Sequence, residues 1–379
     1  MSAEKKFAVI GAGHGGKSMA AHLALMGNSV NLFNRSSQNI SMISSRGGIM
    51  LESFDSPYPR MSNLNKITSD IKIAIEGVDI IMVVVPSSAH ANIATIMAPH
   101  LKNGQIIILN PGRTCGAIEF VKVLHDNKCK AKPIVAETQS LVYASRSTGP
   151  ADAKIFSIKD AVPLAALPST QTKTVLVSIQ NAYPQFVDGD NVLRTGLDNI
   201  GAIFHPALSI LNAGRIESTQ GNFQFYIDGV TASTARILEV LDRERITVAA
   251  ALGVNAMTAM DWLVMAYDAK GSHLEDAIKN NLSYYGIRAP TTLEHRYISE
   301  EVPMSLVPIS ELGLKFGVTT RGINAIISLA NLIHETDYKT RGRTLNKLGI
   351  NDLSVTELKQ YVTKGVIPEH GNSALPTLI

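Results

Sequence analysis

The sequence predicts an α/β protein in two parts: an N-terminal Rossmann-type, doubly wound parallel sheet and an all-helical C-terminal domain. Three observations predict it. A strand-like run, FAVIG (7–11), passes directly into the glycine pattern of a dinucleotide-binding turn. Apolar β-branched runs then alternate with helical patterns through the first half, which means parallel strands joined by crossover helices. Beyond the strand-like YPQFV (183–187) the texture changes to long helical patterns.

In order, FAVIG reads as a strand, residues 16–26 as a helix and SVNLFN (29–34) as a strand. VDIIMVVV (78–85) reads as a strand buried on both faces, HANIATIMAPHL (90–101) as a helix and QIIILN (105–110) as a strand. Helical patterns follow at 198–214, 231–252, 256–267, 309–316, 322–334 and 354–362. The boundary falls between residues 185 and 195, giving a dinucleotide-binding domain over 1–188 and a helical substrate-binding domain over 189–379.

A chain of 379 residues agrees with two domains, and 45% hydrophobic with 18% charged residues describes a large interior. The formal net charge is +3 and no Lys/Arg block occurs, so nucleic acid and anionic membranes are not expected partners. Cys115 and Cys129 make no disulfide framework, and no Cys/His cluster has metal-ligand spacing, so no metal is expected. The start, MSAEKKFAVIGAG, lacks the apolar core of a signal peptide, and IIMVVV (80–85) is too short to span a bilayer. A cytoplasmic protein is expected, and the apolar helical half suggests a homodimer.

VIGAGHGG places Gly11, Gly13 and Gly16 in G-x-G-x-x-G spacing, with His14 and Gly15 in the same turn. The first glycine permits the tight turn, the second lets backbone approach a pyrophosphate, and the third lets helix pack on strand. The helix N-terminus then offers N–H groups and a positive dipole end. At the end of the second strand an NAD site usually carries Asp or Glu for the ribose 2′-hydroxyl. Here the residues are Asn34, Arg35 and Ser36. A missing carboxylate and an added guanidinium both suit a 2′-phosphate, so NADP(H) is favoured over NAD(H).

DNIGAIFHPALSILNAG carries apolar residues around most of a helical wheel. The remaining stripe, Asp198, Ala202, His205, Ser209 and Asn212, has no lysine or glutamate and is expected to line a cavity. Pro206 offers no N–H to Ala202 and is expected to kink or restart the helix. By itself the helix favours reading His205 as a buried, satisfied core histidine. EHRYISEEVPMSLVPISELG adds Arg296 and Glu301, which alone would read as a surface ion pair. Together the three supply what reduction of a 2-oxo acid or its imine requires. Those parts are a proton carrier near neutral pH, a bidentate carboxylate holder and a carboxylate that orients the imidazole.

The chain resembles the opine dehydrogenases, the octopine/nopaline dehydrogenase group, and their bacterial members above all. The resemblance rests on GAGHGG, VVVPSSAHANIA, LNPGRTCGAIEF, AETQSLVYASR, NIGAIFHPALSILNAG, HRYISEEVPMSLVPISELG and GRTLNKLGI. It implies reductive condensation of an L-amino acid with a 2-oxo acid such as pyruvate, giving a secondary amine dicarboxylate. Carried onto this sequence, His205 is the acid/base and Arg296 binds a substrate carboxylate. Glu301 stands where many relatives have aspartate. Further cofactor contacts would come from Pro86, Ser87 and Thr138. Two rivals remain: a ketopantoate-reductase-like 2-oxo or 3-hydroxy acid reductase, and a non-catalytic dinucleotide sensor. The first usually relies on a lysine in the second domain, and residues 198–252 contain none.

Overall fold

Eight strands form the main sheet of a computed structural model that describes residues 5–367 and 375–378. Their spatial order is Phe186–Asp188, Val162–Leu167, Ile134–Thr138, Ile106–Leu109, Ile80–Val83, Lys6–Ile10, Ser29–Phe33 and Lys66–Thr68. All neighbours run parallel except Val162–Leu167 against Ile134–Thr138. The chain builds outward from Lys6–Ile10 to Lys66–Thr68, then returns to the other side of Lys6–Ile10 through Ile80–Val83. That reversal is the switch point at which open α/β sheets hold their ligands. Ile80–Val83 and Ile106–Leu109 are buried at every residue, as parallel strands covered on both faces must be.

A second sheet was not expected from the sequence. Its order is Arg60–Asn63, Gly48–Ser53, Asp152–Ile158 and Tyr143–Gly149, with a parallel pair joining segments about a hundred residues apart. Helix His14–Leu25 packs against this sheet and against Lys6–Ile10 and Ser29–Phe33, so residues Gly16 to Leu23 are all buried. Three of those residues are polar, and all are satisfied; Ser18 Oγ donates to the His14 carbonyl at 3.0 Å. Lys17 donates to Ser147 Oγ (2.9 Å) and to the Gly149 carbonyl (2.8 Å), and His22 Nδ1 lies 2.9 Å from the Tyr143 hydroxyl.

Packing groups the chain into two units whose limits differ from a single cut after residue 188. The first takes in the described residues up to Gly112, then Gly116–Thr195, then the described residues from Gln360 onward; the second is Arg113–Cys115 with Gly196–Lys359. The first unit runs past 188 because the Thr195 hydroxyl donates to the buried Glu137 carboxylate at 2.7 Å. The described residues from Gln360 return to it, where a Cβ at Gly365 would stand 3.2 Å from the Pro168 ring.

The second unit is helical among its described residues, with Ala232–Ala251 its longest element and Thr231 capping that helix through Thr234. The expected helix over 198–214 is instead two, Gly201–Leu211 and Ala213–Thr219, with Val192–Leu197 a separate helix before them. Pro206 lies inside Gly201–Leu211 without ending it, and the restart comes at Asn212. The expectation placed the break at the proline. Fully buried Ala207 and Leu208 hold the helix through that turn, outweighing one lost hydrogen bond.

Candidate active site

The glycine turn lies at the switch point of the main sheet. Gly11 has φ +114°, and a Cβ there would stand 2.4 Å from the Val84 carbonyl oxygen. A Cβ at Gly16 would stand 1.8 Å from the Gly11 carbonyl, so this close packing excludes any side chain. A Cβ at Gly13 would instead meet nothing within 4 Å. Gly13 and His14 are exposed, and no side chain caps the helix that begins there. These are the features of a cradle for an anionic pyrophosphate: open backbone, uncapped N–H groups and a positive helix end. Gly15 is half-buried in the same turn. His14 Nδ1 accepts the Ser147 N–H at 2.8 Å, tying the turn to the second sheet.

Asn34 caps no helix. Its Oδ1 accepts the Ala12 N–H at 3.2 Å and its amide donates to the Ser36 carbonyl at 3.0 Å, so it braces the glycine turn. Arg35 and Ser36 are exposed at the strand end, where a ribose substituent is met in this type of fold. Pro86 is exposed and Ser87 buried after Ile80–Val83. Thr138 departs from expectation: it is fully buried and donates to the Leu109 carbonyl at 3.2 Å, so it holds neighbouring strands together instead of facing a ligand.

In the second unit His205 and Glu301 meet. Nδ1 of His205 lies 3.0 Å from Glu301 Oε1, which places the ring proton on Nδ1 and directs it to the carboxylate. Nε2 has no protein partner among the described residues, and one-fifth of the side chain is exposed. Tyr297 stacks on the imidazole at 4.2 Å and 8°, fixing the ring plane, and itself rests against buried Phe225. Glu301 also receives Arg113 Nη1 at 2.8 Å, Ser305 Oγ at 2.9 Å and Asn199 Nδ2 at 3.3 Å. Burial would raise its carboxyl, yet Arg113 and the His205 N–H outweigh that and hold it well below the usual carboxylate range.

Ser305 reaches Glu301 from a π-helical turn, Val302–Leu306, of the kind often found at functional positions. The turn passes into helix Val307–Lys315, and Pro303 and Pro308 supply no N–H to either. Arg113 has φ +62°, and its loop is braced in the second unit by Arg343 Nη1 on the Thr114 carbonyl (3.0 Å). Thr114 Oγ1 adds a bond to the Gly196 carbonyl at 3.1 Å.

Arg296 does not join Glu301 directly. Its Nε lies 3.0 Å from Glu300 Oε2, and more than half of its side chain is exposed. Glu300 is buried and also faces Arg113 Nε at 3.4 Å. The polar stripe around His205 does not line a cavity as expected. Asp198 is buried and accepts the Met257 N–H at 2.7 Å; Ser209 donates to the His205 carbonyl, and Asn212 to those of Leu208 and Gly229. Of that stripe's polar side chains, His205 is the one whose functional atom is left unpaired. Arg113, Asn199, Glu300, Tyr297 and Ser305 were not singled out from the sequence. The signal for the first lay in GRTCG, an arginine wedged between a strand and a helix, and for Glu300 in the adjacent-glutamate pair.

Among the described residues no group of His, Cys, Asp and Glu could hold a metal ion, and no helix is long and apolar enough to cross a membrane. Comparison with known proteins agrees with the two-part reading. Residues 188–334 match the family model of the NAD/NADP octopine/nopaline dehydrogenase alpha-helical domain. Residues 6–116 match the NAD binding domain of 6-phosphogluconate dehydrogenase. The chain is 38% identical over 362 residues to the opine dehydrogenase of Arthrobacter sp. (strain 1C), covering 96% of this chain and 100% of that one. A solved octopine dehydrogenase with NADH and L-arginine superposes with a TM-score of 0.80 at 20% identity, over 97% of this chain and 100% of that one. Yersinopine dehydrogenase with NADP+ gives 0.74 at 13% identity, over 96% and 99%. A ketopantoate reductase from Ralstonia eutropha JMP134 gives 0.59 at 18% identity, over 87% and 98%.

Proposed function

The chain belongs to the opine dehydrogenase family, NAD(P)-dependent oxidoreductases that join an amino acid to a 2-oxo acid through a reduced imine, and we propose how its residues divide that work. The observation that carries the assignment is the His205–Glu301 pair, with Nδ1 committed to a buried carboxylate and Nε2 left for substrate. His205 Nε2 takes a proton from the substrate ammonium, so that the amine can attack the 2-oxo carbon. It then returns a proton to the departing hydroxyl, which leaves as water and yields the protonated imine. Glu301 keeps the imidazole in the reactive tautomer and stabilises its cation during transfer. Arg296, more than half exposed, holds a substrate carboxylate through its guanidinium fork.

The glycine turn of Gly11, Gly13, His14, Gly15 and Gly16 would hold the dinucleotide pyrophosphate, with Pro86 and Ser87 beside it. Arg35 and Ser36 would meet a 2′-phosphate, so NADP(H) is the proposed preference. When bound, the nicotinamide supplies the hydride. Pyruvate is the first 2-oxo acid to test, because the family resemblance implies it and an octopine dehydrogenase of similar fold was solved with it. Residues 1–188 and 189–379 are the proposed cofactor-binding and substrate-binding domains, in a cytoplasmic homodimer.

The test is oxidation of NADPH with 2-oxo acids and L-amino acids, supplied singly and together. Turnover is expected only with both present, and the product is an N-(1-carboxyalkyl) amino acid identified by mass. Brisk oxidation with a 2-oxo acid alone would favour the ketopantoate-reductase-like reading, to which the 0.59 superposition lends the fold. Tight NADPH binding with no turnover on any pair would favour a sensor.

A further inference from the structure

Arg113 stands between two buried carboxylates adjacent in sequence. Nη1 lies 2.8 Å from Glu301 Oε1, and Nε lies 3.4 Å from Glu300 Oε1. Nη1 also donates to Asn199 Oδ1 at 3.1 Å, and the Asn199 amide continues to Glu301 and to Ser305. Only 9% of the arginine side chain is exposed. A guanidinium so enclosed and so engaged with protein groups acts on chemistry only through its neighbours. We propose that Arg113 is a positioning residue for the reaction: it fixes the Glu301 carboxylate that orients His205, and sets the charge the imidazole faces. The proposal deepens the reading of His205 as acid/base and rests on it.

The physical case begins with Glu300 and Glu301, exposed by 3% and 1%. Two buried like charges a residue apart disfavour one another's ionisation strongly, unless a cation is placed between them. Arg113 is that cation, and Arg296 completes Glu300 from the exposed side. The charges therefore alternate from Arg296 through Glu300, Arg113 and Glu301, and end on His205. With a neutral imidazole the series sums to zero. Burial opposes the Arg113 charge, but Glu301 and Glu300 outweigh it, so the guanidinium keeps its proton.

The other groups around the pair do not compete. Tyr297 and Tyr226 face it, and burial pushes the Tyr226 phenol well above its ordinary value, so it carries no charge. On helix Ala232–Ala251, packed against the His205 helix, Asp242 and Arg245 pair with each other, and Asp198 lies 3.9 Å from Arg245. Arg215 and Glu217 of Ala213–Thr219, and Arg321 of Arg321–Ile333, are exposed.

Removing the Arg113 charge leaves Glu300 with Arg296 and Glu301 with His205 as its one cation, so His205 holds its proton to higher pH. Removing the Glu300 charge leaves Arg113 unbalanced, so His205 releases its proton at lower pH. Damage to the fold would not produce opposite signs. The experiment follows the His205 ring resonances of the full-length, ¹³C-histidine-labelled protein against pH, assigned by their absence in His205→Ala. Arg113→Gln is expected to move the titration up by about one pH unit or more, and Glu300→Gln to move it down. Arg113→Lys keeps the charge and is expected to titrate near the wild type. Because one ammonium cannot span both carboxylates, kcat in that variant is expected to fall about tenfold, with KM for the 2-oxo acid changed less than about twofold.

An unmoved His205 titration in both charge-removing variants overturns the proposal. If Arg113→Gln does not fold, Glu300→Gln decides by the same criterion. Each titration is paired with the acid limb of kcat/KM for oxidation of the opine that the wild type makes. Resonances that move while the limb stays put uphold the hold of Arg113 on His205 and dismiss His205 as the acid/base.

Discussion

Gly201 leaves the space in which Glu301 approaches the His205 helix: a Cβ there would stand 3.0 Å from Glu301 Oε1. It would also stand 3.1 Å from His205 Nδ1. The neighbour that must give way is therefore the hydrogen-bonded pair itself. In Gly201→Ala, kcat is expected to fall about tenfold because small misplacements of reacting groups are costly. Cofactor affinity and melting temperature should move little, since alanine suits a helix start better than glycine. Unchanged kcat would show that the pair tolerates the crowding and that its separation is not critical.

His205→Ala is expected to lower imine reduction by about a hundredfold or more, the usual contribution of a general acid–base group. NADPH affinity, measured by fluorescence titration, should stay close to wild type. Glu301→Gln keeps the shape but loses the charge, and its kcat is expected to fall as well. Full activity in either variant removes that residue from the mechanism.

Acid stability gives a second view of Glu301. Its carboxyl is depressed from 4.5 to about 2, first against burial, by Arg113 and His205. A carboxylate depressed on folding stabilises the native state above its unfolded value, and loses that effect as pH falls through the folded value. The melting temperature of wild type should therefore exceed that of Glu301→Gln by most above about pH 5, with the gap closing towards about pH 2. A gap that stays constant across this range contradicts the assignment of the shift to Glu301.

Arg296→Lys tests the carboxylate site. Lysine preserves the charge beside Glu300 but cannot make a planar paired contact. KM for the 2-oxo acid should rise by the equivalent of roughly 1–3 kcal/mol, the scale of a hydrogen bond to a charged group. Steady-state kinetics with KM and kcat both unchanged would return Arg296 to a surface partner of Glu300.

Arg35→Ala tests cofactor choice. Wild type is expected to use NADPH with higher kcat/KM than NADH, and the variant to lose that advantage while keeping most NADH activity. Equal or better use of NADH by wild type dismisses the 2′-phosphate role.

What the sequence revealed of this molecule follows the range of the interactions concerned. The glycine turn was legible because strand, turn and helix occupy adjacent residues, and Gly16 is forced by the Gly11 carbonyl within that stretch. The second sheet was not, because Gly48–Ser53 finds its parallel partner in Asp152–Ile158, and neither strand carries more than three apolar residues in a row. His205 and Glu301 were named by motif, but Arg113 joins them only after the chain folds back, with a backbone conformation its sequence does not announce. Pro206 misled because the burial of its neighbours, which keeps the helix intact, is a tertiary effect. Asn34 was expected at the ribose and also accepts the N–H of Ala12, 22 residues away.

The return of the residues after Lys359 to the first unit has a consequence for biosynthesis. A ribosome delivers the nucleotide-binding sheet early, yet the segment that packs beside Pro168 through Gly365 emerges only after the second unit. The nascent protein must therefore carry an unfinished first unit while every helix of the second is translated. A premature stop codon just after Lys359 would spare His205, Glu301 and all their partners in the finished polypeptide. Its lesion would fall instead on the first unit, which would lack the segment around Gly365 that packs beside Pro168.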